Sequence, residues 1–359
     1  LSVLNPAFDD WQLSIENKIC VAPSEMVAGL ARVIKAVANE TNQTISDDVS
    51  DLCAQVSVDD ESLAVARSLA SGRRSAVWLG NYAVQHRNAA QIHALSQEIA
   101  RLVNSAFGVI GEAANSVGGY LAGAVPFGLI EGKTAAQMLS TPLKAYILAG
   151  VEPDLDIADG VSAVKSLRGA EMVAALTVFK SQSLLDLADV LLPIAPFTET
   201  AGVFVNCEGR AQAFHPVTKS AGESRAGWKV LRVIGSALEL NGFDFGTIDD
   251  VRNKVLGDSL AIDSIKLGNS LAIDKFALPE AVSGIQRIAD IPIYSADPIV
   301  RRSGPLQATR DADAPKARMS SSLISKIGLT PGEKVRIKSE TGEVTVVLIE
   351  DDAVAAGCL

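Results

Sequence analysis

The side chains best suited to holding a ligand are concentrated between residues 198 and 210 of the chain. Glu199 contributes a carboxylate. Asn206, Glu208 and Arg210 then place an amide, a second carboxylate and a guanidinium group within one predicted turn. Such groups can orient a bound molecule. A loop that carries only a solvated Arg–Glu pair fits the same residues, so both interpretations stay open at this point.

The residues around this stretch are predicted to place it at the end of a strand. Val190–Leu192 is a short, continuous apolar run, which is typical of a strand buried on both faces near the centre of a sheet. Pro193 and Pro196 then end regular pairing and force an extended loop. Glu199 and Gly202 therefore follow the carboxyl end of a strand, where open α/β sheets bind ligands.

Three further apolar runs predict strands, at Ser75–Leu79, Ala145–Ala149 and Met172–Leu176. Apolar residues at helical spacing, for instance over Arg87–Asn104, predict amphipathic helices between them. Strands that alternate with helices indicate parallel β-α-β units, and so an α/β fold of the Rossmann-like, three-layer type with a parallel sheet. We therefore expect the turns after these strands to share one edge of the sheet.

The composition excludes several classes of protein. The chain has 359 residues, of which 48% are hydrophobic and 21% charged, and such a length predicts two or three globular units. Its net charge of −10 argues against a nucleic-acid or anionic membrane surface, because phosphate binding needs clustered Lys and Arg. The longest weakly polar stretch, residues 120–130, is shorter than the roughly 20 residues of a membrane helix.

The four cysteines, Cys20, Cys53, Cys207 and Cys358, are far apart and have no C-x-x-C spacing. This pattern predicts free thiols in a reducing compartment, and neither a disulfide framework nor a metal-cluster site. The first residue is Leu1, and no signal-type segment follows it, so we expect the chain to be a piece of a longer polypeptide.

Two local patterns have structural explanations as well as functional ones. His86, in the strand-to-helix turn Gly80–His86, lies where backbone N–H groups favour an anion, but a helix cap or a hydrogen-bonded, partly buried histidine fits as well. Residues 128–134 nearly match a phosphate-binding P-loop, although only three residues separate the glycines. Thr134 and Gln137 favour a helix start with a capping box instead.

The carboxyl-terminal part of the chain is predicted to be rich in strands. β-Branched or alternating residues predict strands at Ile299–Val300, Val335–Lys338 and Val344–Ile349. Thr341 and Gly342 supply the turn of a hairpin between the last two. This pattern predicts a separate β-rich domain.

Several of these segments together resemble the molybdopterin oxidoreductase family. Residues 188–212 match its signature, Ala-Asp-Val-Val-Leu-Pro, then Glu, then Gly-Thr-Phe-x-Asn-x-Glu-Gly-Arg-x-Gln. Residues 80–86 resemble its Gly-x-x-x-x-Gln-His turn, residues 115–119 its loop beside the pterin nucleotide, and residues 150–154 its Gly-x-Glu-Pro turn. Residues 325–357 resemble its double-psi β-barrel, here expected to be truncated.

The resemblance implies a pterin-nucleotide cleft that is vestigial and empty in this chain. The residues carried over to it are Gly80, Gln85, His86, Asn115, Gly118, Gly150, Glu152, Glu199, Gly202, Asn206 and Arg210. We expect Arg210 and Glu199 to form a buried ion pair that holds the cleft closed, because a buried guanidinium group must be paired.

Within the family, the variant at residues 193–206 most resembles the large iron–sulfur subunits of proton-pumping NADH:quinone oxidoreductases; it reads Pro-Ile-Ala-Pro-Phe-Thr-Glu-Thr-Ala-Gly-Val-Phe-Val-Asn. That likeness implies a non-redox scaffold with no cofactor of its own, 2Fe-2S and 4Fe-4S clusters being expected in a missing amino-terminal part. It implies the other peripheral-arm subunits as partners, without nucleic acid or direct membrane insertion. The implied location is the cytoplasmic side of the bacterial inner membrane or the mitochondrial matrix side.

The implied domains are a leading helical segment at 1–72, the molybdopterin-oxidoreductase-like α/β domain at 73–245, a connector at 246–292 and the β-barrel domain at 293–359. The residues before Gly80 supply no metal ligand of the kind that active members use, so no catalytic residue and no metal site is predicted. Two alternatives stay open: a fragment of a catalytic molybdenum enzyme such as a formate dehydrogenase, or a module that binds a pterin or nucleotide.

Overall fold

A computed structural model describes residues 1–9, 12–126, 132–257, 267–273, 276–280, 282–289, 291–339 and 342–359. The chain divides into two compact units. The first unit contains Leu1–Glu112, Asn269–Ile291 and Asp313–Leu359. The second unit contains Ala113–Gly268 and Pro292–Ala312.

The strands of the described residues are short. In chain order they are β1 (Ser2–Asn5), β2 (Asn17–Cys20), β3 (Ala76–Leu79), β4 (Ala106–Val109), β5 (Ala145–Ala149), β6 (Met172–Thr177), β7 (Val190–Pro193), β8 (Gly202–Val205), β9 (Ala211–Phe214), β10 (Lys316–Met319), β11 (Lys334–Lys338) and β12 (Glu343–Glu350).

The α-helices vary from a single turn to about four turns. They are α1 (Met26–Thr41), α2 (Asp47–Ala54), α3 (Asp60–Ser71), α4 (Asn81–Val84), α5 (Ala89–Leu102), α6 (Ser116–Leu121), α7 (Ala135–Ser140), α8 (Pro153–Asp156), α9 (Gly160–Arg168), α10 (Gln182–Leu187), α11 (Gly227–Ala237), α12 (Ile248–Leu256), α13 (Pro298–Arg301), α14 (Gly304–Gln307) and α15 (Ser321–Ile327). Single 3-10 turns lie at Pro23–Glu25, Phe197–Glu199, Ile293–Ser295 and Arg310–Ala312.

The core of the first unit lies between its longer helices. α1 and α5 bury apolar residues at helical spacing, and Val27, Ile34 and Leu95 are fully buried there. β1 pairs in parallel with β2, and β3 pairs in parallel with β4. Helix α5 confirms the amphipathic helix that was predicted over Arg87–Asn104.

The second unit is organised around a parallel sheet in the order β5-β6-β7. Ile147, Ala174 and Val190 form one row across it. The α/β class with parallel strands is confirmed, but the predicted strands form two separate sheets, since β3 pairs with β4 in the first unit. An apolar run predicts a strand but carries no information about which neighbours it will have.

The expectation that Val190–Leu192 is buried on both faces at a sheet centre is wrong. β7 pairs with β6 alone among the described strands, and Val190 is 39% exposed. Among the described residues, an isolated bridge between Ile194 and Arg225 is all that continues the sheet past β7. A run of three apolar residues fits an edge strand as well as a central one.

The carboxyl-terminal strands form a three-stranded sheet in the order β10-β12-β11. β11 and β12 are antiparallel, and Lys338 faces Glu343 at the end of the ladder, which confirms the predicted hairpin. Thr341, which was predicted to lie in the turn of this hairpin, is outside the described residues. The described strands do not close into a barrel, so the predicted β-barrel is not found in them.

The predicted strand at Ile299–Val300 is wrong, because these residues lie in helix α13. Asp297 caps this helix by accepting hydrogen bonds from the N–H groups of Ile299 and Val300, and Pro298 occupies its first turn. An aspartate at the cap followed by proline favours a helix start, which outweighs the strand propensity of two β-branched residues. By contrast, the predicted capping box of Thr134 and Gln137 is present at the start of α7.

The compact units do not follow the domain boundaries expected at residues 72, 245 and 292. Residues 73–245 contribute to both units, and residues 293–312 belong to the second unit while 313–359 belong to the first. Of the P-loop-like residues 128–134, residues 128–131 lie outside the described residues. No helix in the described ranges is both long and apolar enough to cross a membrane.

The four cysteines are free thiols, and their burial predicts different reactivity. Burial raises the pKa of the Cys53 thiol and of the Cys358 thiol to about 11. Cys207 is exposed. We expect a maleimide reagent at neutral pH to label Cys207 first, and to label Cys53 and Cys358 only after unfolding, because the thiolate is the reactive form. Mass spectrometry of peptides from a labelling time course tests this, with the denatured chain as the control. Equal labelling rates at Cys53 and Cys207 in the folded protein would contradict it.

Candidate functional site

The candidate site of the second unit is a cavity beyond the carboxyl ends of the parallel strands. It has a volume of about 210 Å³. Gly150 and Glu152 line it after β5, residues 177–179 at the end of β6, and residues 195–197 after β7. Residues 297–299 close the remaining side. This is the edge at which open α/β sheets bind ligands.

Glu152 is the central charged group of this site. Its side chain is 3% exposed, and both of its oxygens accept hydrogen bonds from arginine. Nη2 of Arg301 lies 2.6 Å from Oε2, and Nη1 of Arg302 lies 3.1 Å from the same oxygen. Nη2 of Arg302 donates to Oε1. A buried carboxylate is therefore fully neutralised by two guanidinium groups.

Asp156 completes the cluster. Its Oδ1 accepts a hydrogen bond of 2.8 Å from Nη1 of Arg301, and its Oδ2 accepts one of 2.7 Å from the backbone N–H of Glu152. The Arg302 guanidinium carbon also lies 4.4 Å from the ring centroid of Phe179. This is within the range of a cation–π contact, so Arg302 is held on its face as well as at its edge.

The local sequence explains how Glu152 reaches this position. Gly150 has a φ of +68°, a left-handed conformation that glycine adopts readily, and it turns the chain sharply at the end of β5. Pro153 then occupies the first turn of α8. Glu152 lies between the two, at the end of the strand and the start of the helix, where its carboxylate can enter the cavity.

The arginines shift the ionisation of Glu152. Hydrogen bonds from Arg302, and then from Arg301, hold the pKa of the Glu152 carboxyl group below its usual range against the opposing effect of burial. Because the folded-state pKa is depressed, the stabilisation is fully present above the unfolded pKa of about 4.3 and is lost as pH falls through the lower folded-state value.

Because the pKa of Glu152 is lowered in the folded state, the stabilisation that its charge provides can be tested by changing the pH. We expect the difference in unfolding free energy between the parent chain and Glu152→Gln to be constant at neutral pH and to shrink as the solution is acidified below about pH 4. Denaturant unfolding at several pH values measures it. A difference that grows on acidification would contradict the assigned charge state.

The predicted buried pair of Glu199 and Arg210 is not formed. Arg210 is exposed, and no ion pair joins it to Glu199. Oε2 of Glu199 instead accepts a hydrogen bond of 2.9 Å from the backbone N–H of Ala221. Arg210 lies at the turn between β8 and β9, where its side chain stays in solvent. Among the described residues of this unit, the buried carboxylate that forms ion pairs is Glu152, and its partners are distant in sequence.

The other predicted residues of the second unit have structural partners. Oδ1 of Asn206 accepts the N–H groups of Glu208 and Arg210 within its own turn. Oδ1 of Asn115 accepts the N–H of Val205 at 2.8 Å. A Cβ atom on Gly118 would lie 2.0 Å from that Asn115 oxygen, which explains the glycine there.

Gly202 has a similar constraint, since a Cβ atom would lie 2.6 Å from the ring of Phe214 across the β8–β9 pair. Of the predicted residues in this unit, the cavity brings together Gly150 and Glu152. Asn115, Glu199, Gly202, Asn206 and Arg210 do not line it. Close approach of backbone or ring, and not ligand binding, accounts for the small residues Gly118 and Gly202.

Gly80, Gln85 and His86 belong to the first unit. Gly80 precedes α4 as its cap residue, and Nε2 of Gln85 donates to Glu112. Nε2 of His86 lies 3.0 Å from the Pro23 carbonyl oxygen, and Nδ1 of His86 accepts the Asn88 N–H at 3.0 Å. Burial lowers the pKa of His86. A neutral, hydrogen-bonded histidine, one of the interpretations left open by the sequence, accounts for these contacts.

These residues do not fit a pterin nucleotide in the second unit. The polar side chains expected to hold it are bonded to the protein itself, apart from the exposed Arg210. The cavity volume of about 210 Å³ is also below the roughly 300 Å³ at which pockets for drug-sized ligands begin. In the described part of the chain, no group of three or more His, Cys, Asp and Glu side chains is placed to hold a metal ion.

Arg301 and Arg302 were not identified from the sequence. They follow Glu152 by about 150 positions, and nothing local links them to it. One signal was available: Asp297 and Pro298 predict a helix start, and a helix there would present both arginines on a short, fixed element.

The chain belongs to the molybdopterin oxidoreductase family. The family model described as Molybdopterin oxidoreductase matches residues 24–237, which is more than half of the chain. The matched region contains every residue that the sequence assigned to the cleft.

Among curated proteins, the chain is similar to the G subunits of the NADH-quinone oxidoreductases of Mycobacterium bovis and Mycobacterium tuberculosis. Identity is 26% over 211 residues in both, covering 57% of this chain and 25% of each relative. It is also 35% identical over 78 residues to the mitochondrial NADH-ubiquinone oxidoreductase 78 kDa subunit of Neurospora crassa, covering 22% of this chain and 10% of that protein. The match thus spans a quarter or less of these relatives, and it marks the chain as an oxidoreductase-related module.

Among solved structures, acetylene hydratase from Pelobacter acetylenicus has a similar fold. The TM-score is 0.67, the sequence identity is 14%, and the match covers 99% of this chain and 65% of that one. At this identity the likeness concerns the fold alone. It agrees with the parallel α/β architecture of the described residues.

Proposed function

We propose that this chain is the non-redox scaffold part of the large iron–sulfur subunit of an NADH:quinone oxidoreductase. In this role it supports electron transfer from NADH to quinone without holding a redox centre. The iron–sulfur clusters of the full subunit, of the 2Fe-2S and 4Fe-4S types, would lie in another part of that subunit. Its partners would be the other peripheral-arm subunits, on the cytoplasmic side of a bacterial inner membrane or in the mitochondrial matrix.

One observation carries the proposal: the carboxylate at the carboxyl edge of the sheet is used for structure. Glu152 lies in the turn where the family resemblance expects a contact to the pterin nucleotide, yet Arg301 and Arg302 take up both of its oxygens. An enzyme needs groups that are free to meet its substrate or cofactor. A fold whose binding edge is closed by its own ion pairs suits a structural part.

The sequence similarity to the mycobacterial relatives supports the same role independently of the structure. A catalytic fragment of a molybdenum enzyme is the competing outcome of the test below.

The test is assembly. The full polypeptide that carries this chain is produced together with the other peripheral-arm subunits from the same organism, and native mass spectrometry and NADH oxidation with an artificial electron acceptor are measured. We expect a stable complex with NADH-oxidising activity that stays the same in Arg210→Ala. Failure to join the complex, together with formate oxidation by the isolated polypeptide, would favour the molybdenum enzyme instead.

A further inference from the structure

Residues 292–312, the strap, pass over the carboxyl edge of the β5-β6-β7 sheet. The strap belongs to the second unit, although the chain before and after it, Asn269–Ile291 and Asp313–Leu359, belongs to the first. Residues 297–299 of the strap form one side of the cavity. Lifting the strap would therefore open the edge at which the strands end.

The strap has its own internal structure. Nε2 of Gln307 donates to the carbonyl oxygens of Tyr294 at 2.9 Å and Val300 at 3.0 Å. Nη1 of Arg301 donates to the Ser295 carbonyl oxygen at 2.8 Å, and Nη1 of Arg302 to the Pro298 carbonyl oxygen at 3.0 Å. These bonds tie its short helices together, so it can move as one piece.

Apolar burial contributes little to holding the strap in place. None of its residues is buried, and Ile293 and Ile299 are 70% and 36% exposed. Its strongest attachments are the ion pairs of Arg301 and Arg302 with Glu152, and of Arg301 with Asp156. The buried Nε of Arg301 has no hydrogen-bond partner among the described residues, and this weakens the attachment of the strap.

We propose that the strap is a reversible latch over the carboxyl edge of the sheet, held closed by Arg301 and Arg302 at Glu152. In the closed state the guanidinium groups occupy the acceptor oxygens of Glu152 and residues 297–299 wall the cavity. In the open state the carboxylate faces solvent at the end of β5, and the cavity joins the surface. This inference concerns the strap alone and does not depend on the proposed scaffold role.

Limited trypsin digestion tests the latch, because trypsin must take up an arginine side chain, and in the closed state both guanidinium groups are bound to Glu152. The parent chain is compared with Glu152→Gln, and Glu208→Gln serves as the control at an exposed carboxylate. We expect cleavage after Arg301 and Arg302 to be faster by about tenfold or more in Glu152→Gln, because cleavage follows the population of the open form. Cleavage after Arg168, in α9 of the same unit, should be unchanged.

Two results would overturn the latch. Unaltered protection of Arg301 and Arg302 in Glu152→Gln would mean that the ion pairs do not hold the strap. Equal acceleration at Arg168 would mean that the unit opens as a whole.

Hydrogen exchange of the parent chain gives a second test that needs no variant. We expect amides in α13 and α14 to exchange by openings about tenfold or more frequent than those of β6. Equal protection of the strap and β6 would exclude independent motion. Neither test reports on assembly with partner subunits, so each can fail without affecting the proposed function.

Discussion

Replacing Glu152 by alanine is expected to lower the unfolding free energy of the second unit by about 3 kcal/mol. Removing one partner of a buried ion pair costs roughly 3 to 5 kcal/mol, because the remaining charge is left without compensation. We expect the lower end of this range, since release of the strap returns Arg301 and Arg302 to water. The loss should be seen in hydrogen exchange of the amides of β6, which lies in this unit.

Two matched variants control this result. Arg210→Ala and Glu208→Ala remove charges of either sign from the exposed turn between β8 and β9. Surface substitutions of this kind change stability by no more than about 0.5 kcal/mol. A larger loss in Arg210→Ala than in Glu152→Ala would restore the Glu199–Arg210 interpretation of the sequence and contradict the structural one.

Replacing Leu95 by alanine is expected to destabilise the first unit by roughly 2 to 5 kcal/mol. Leu95 lies on α5, is 0% exposed and belongs to the core shared with α1. The alanine would lose the transfer free energy of the side chain and leave a cavity among side chains that are already close-packed. Hydrogen exchange of α1 and α5 reports this loss within the first unit.

The chain offers a control with the same chemical change. Leu13 belongs to the same unit and is 67% exposed. Leu13→Ala removes the same atoms without opening a cavity, so a change within about 0.5 kcal/mol is expected. Equal losses in Leu13→Ala and Leu95→Ala would show that the core is not where the structure places it.

Local features of the fold were predictable from the sequence. β5 and β6 were found within one residue, because continuous apolar runs bounded by turn residues are a local signal. The capping box of Thr134 and Gln137 was found because both partners lie within one helical turn. The hairpin of β11 and β12 was found from alternation on either side of a turn.

Features that depend on distant residues were not predictable. Glu199 and Arg210 were paired because the family resemblance assigned both to one cleft and a buried guanidinium group needs a partner, but Glu199 bonds to Ala221 and Arg210 lies in the β8–β9 turn. Glu152 was identified as a site residue, yet its partners are about 150 positions away. The apolar run of β7 predicted a strand but not its place in the sheet, because periodicity does not report neighbours.

The family signature of this chain and the contacts that its side chains make bear differently on whether the chain binds a cofactor. The signature segment carries the family's residue types, but within the second unit those side chains support turns and the β8–β9 pair. A signature can therefore persist for the fold that it builds, whether or not a ligand is held.

The most direct test of the scaffold account is a pterin and molybdenum analysis of the purified polypeptide. It is produced in a host that makes the pterin cofactor, beside a known molybdenum enzyme as positive control, and bound pterin is extracted, oxidised and measured by fluorescence while molybdenum is measured by mass spectrometry. The account predicts background pterin and background molybdenum in the parent chain. One pterin nucleotide per chain, lost in Glu152→Gln and retained in Glu208→Gln, would contradict it.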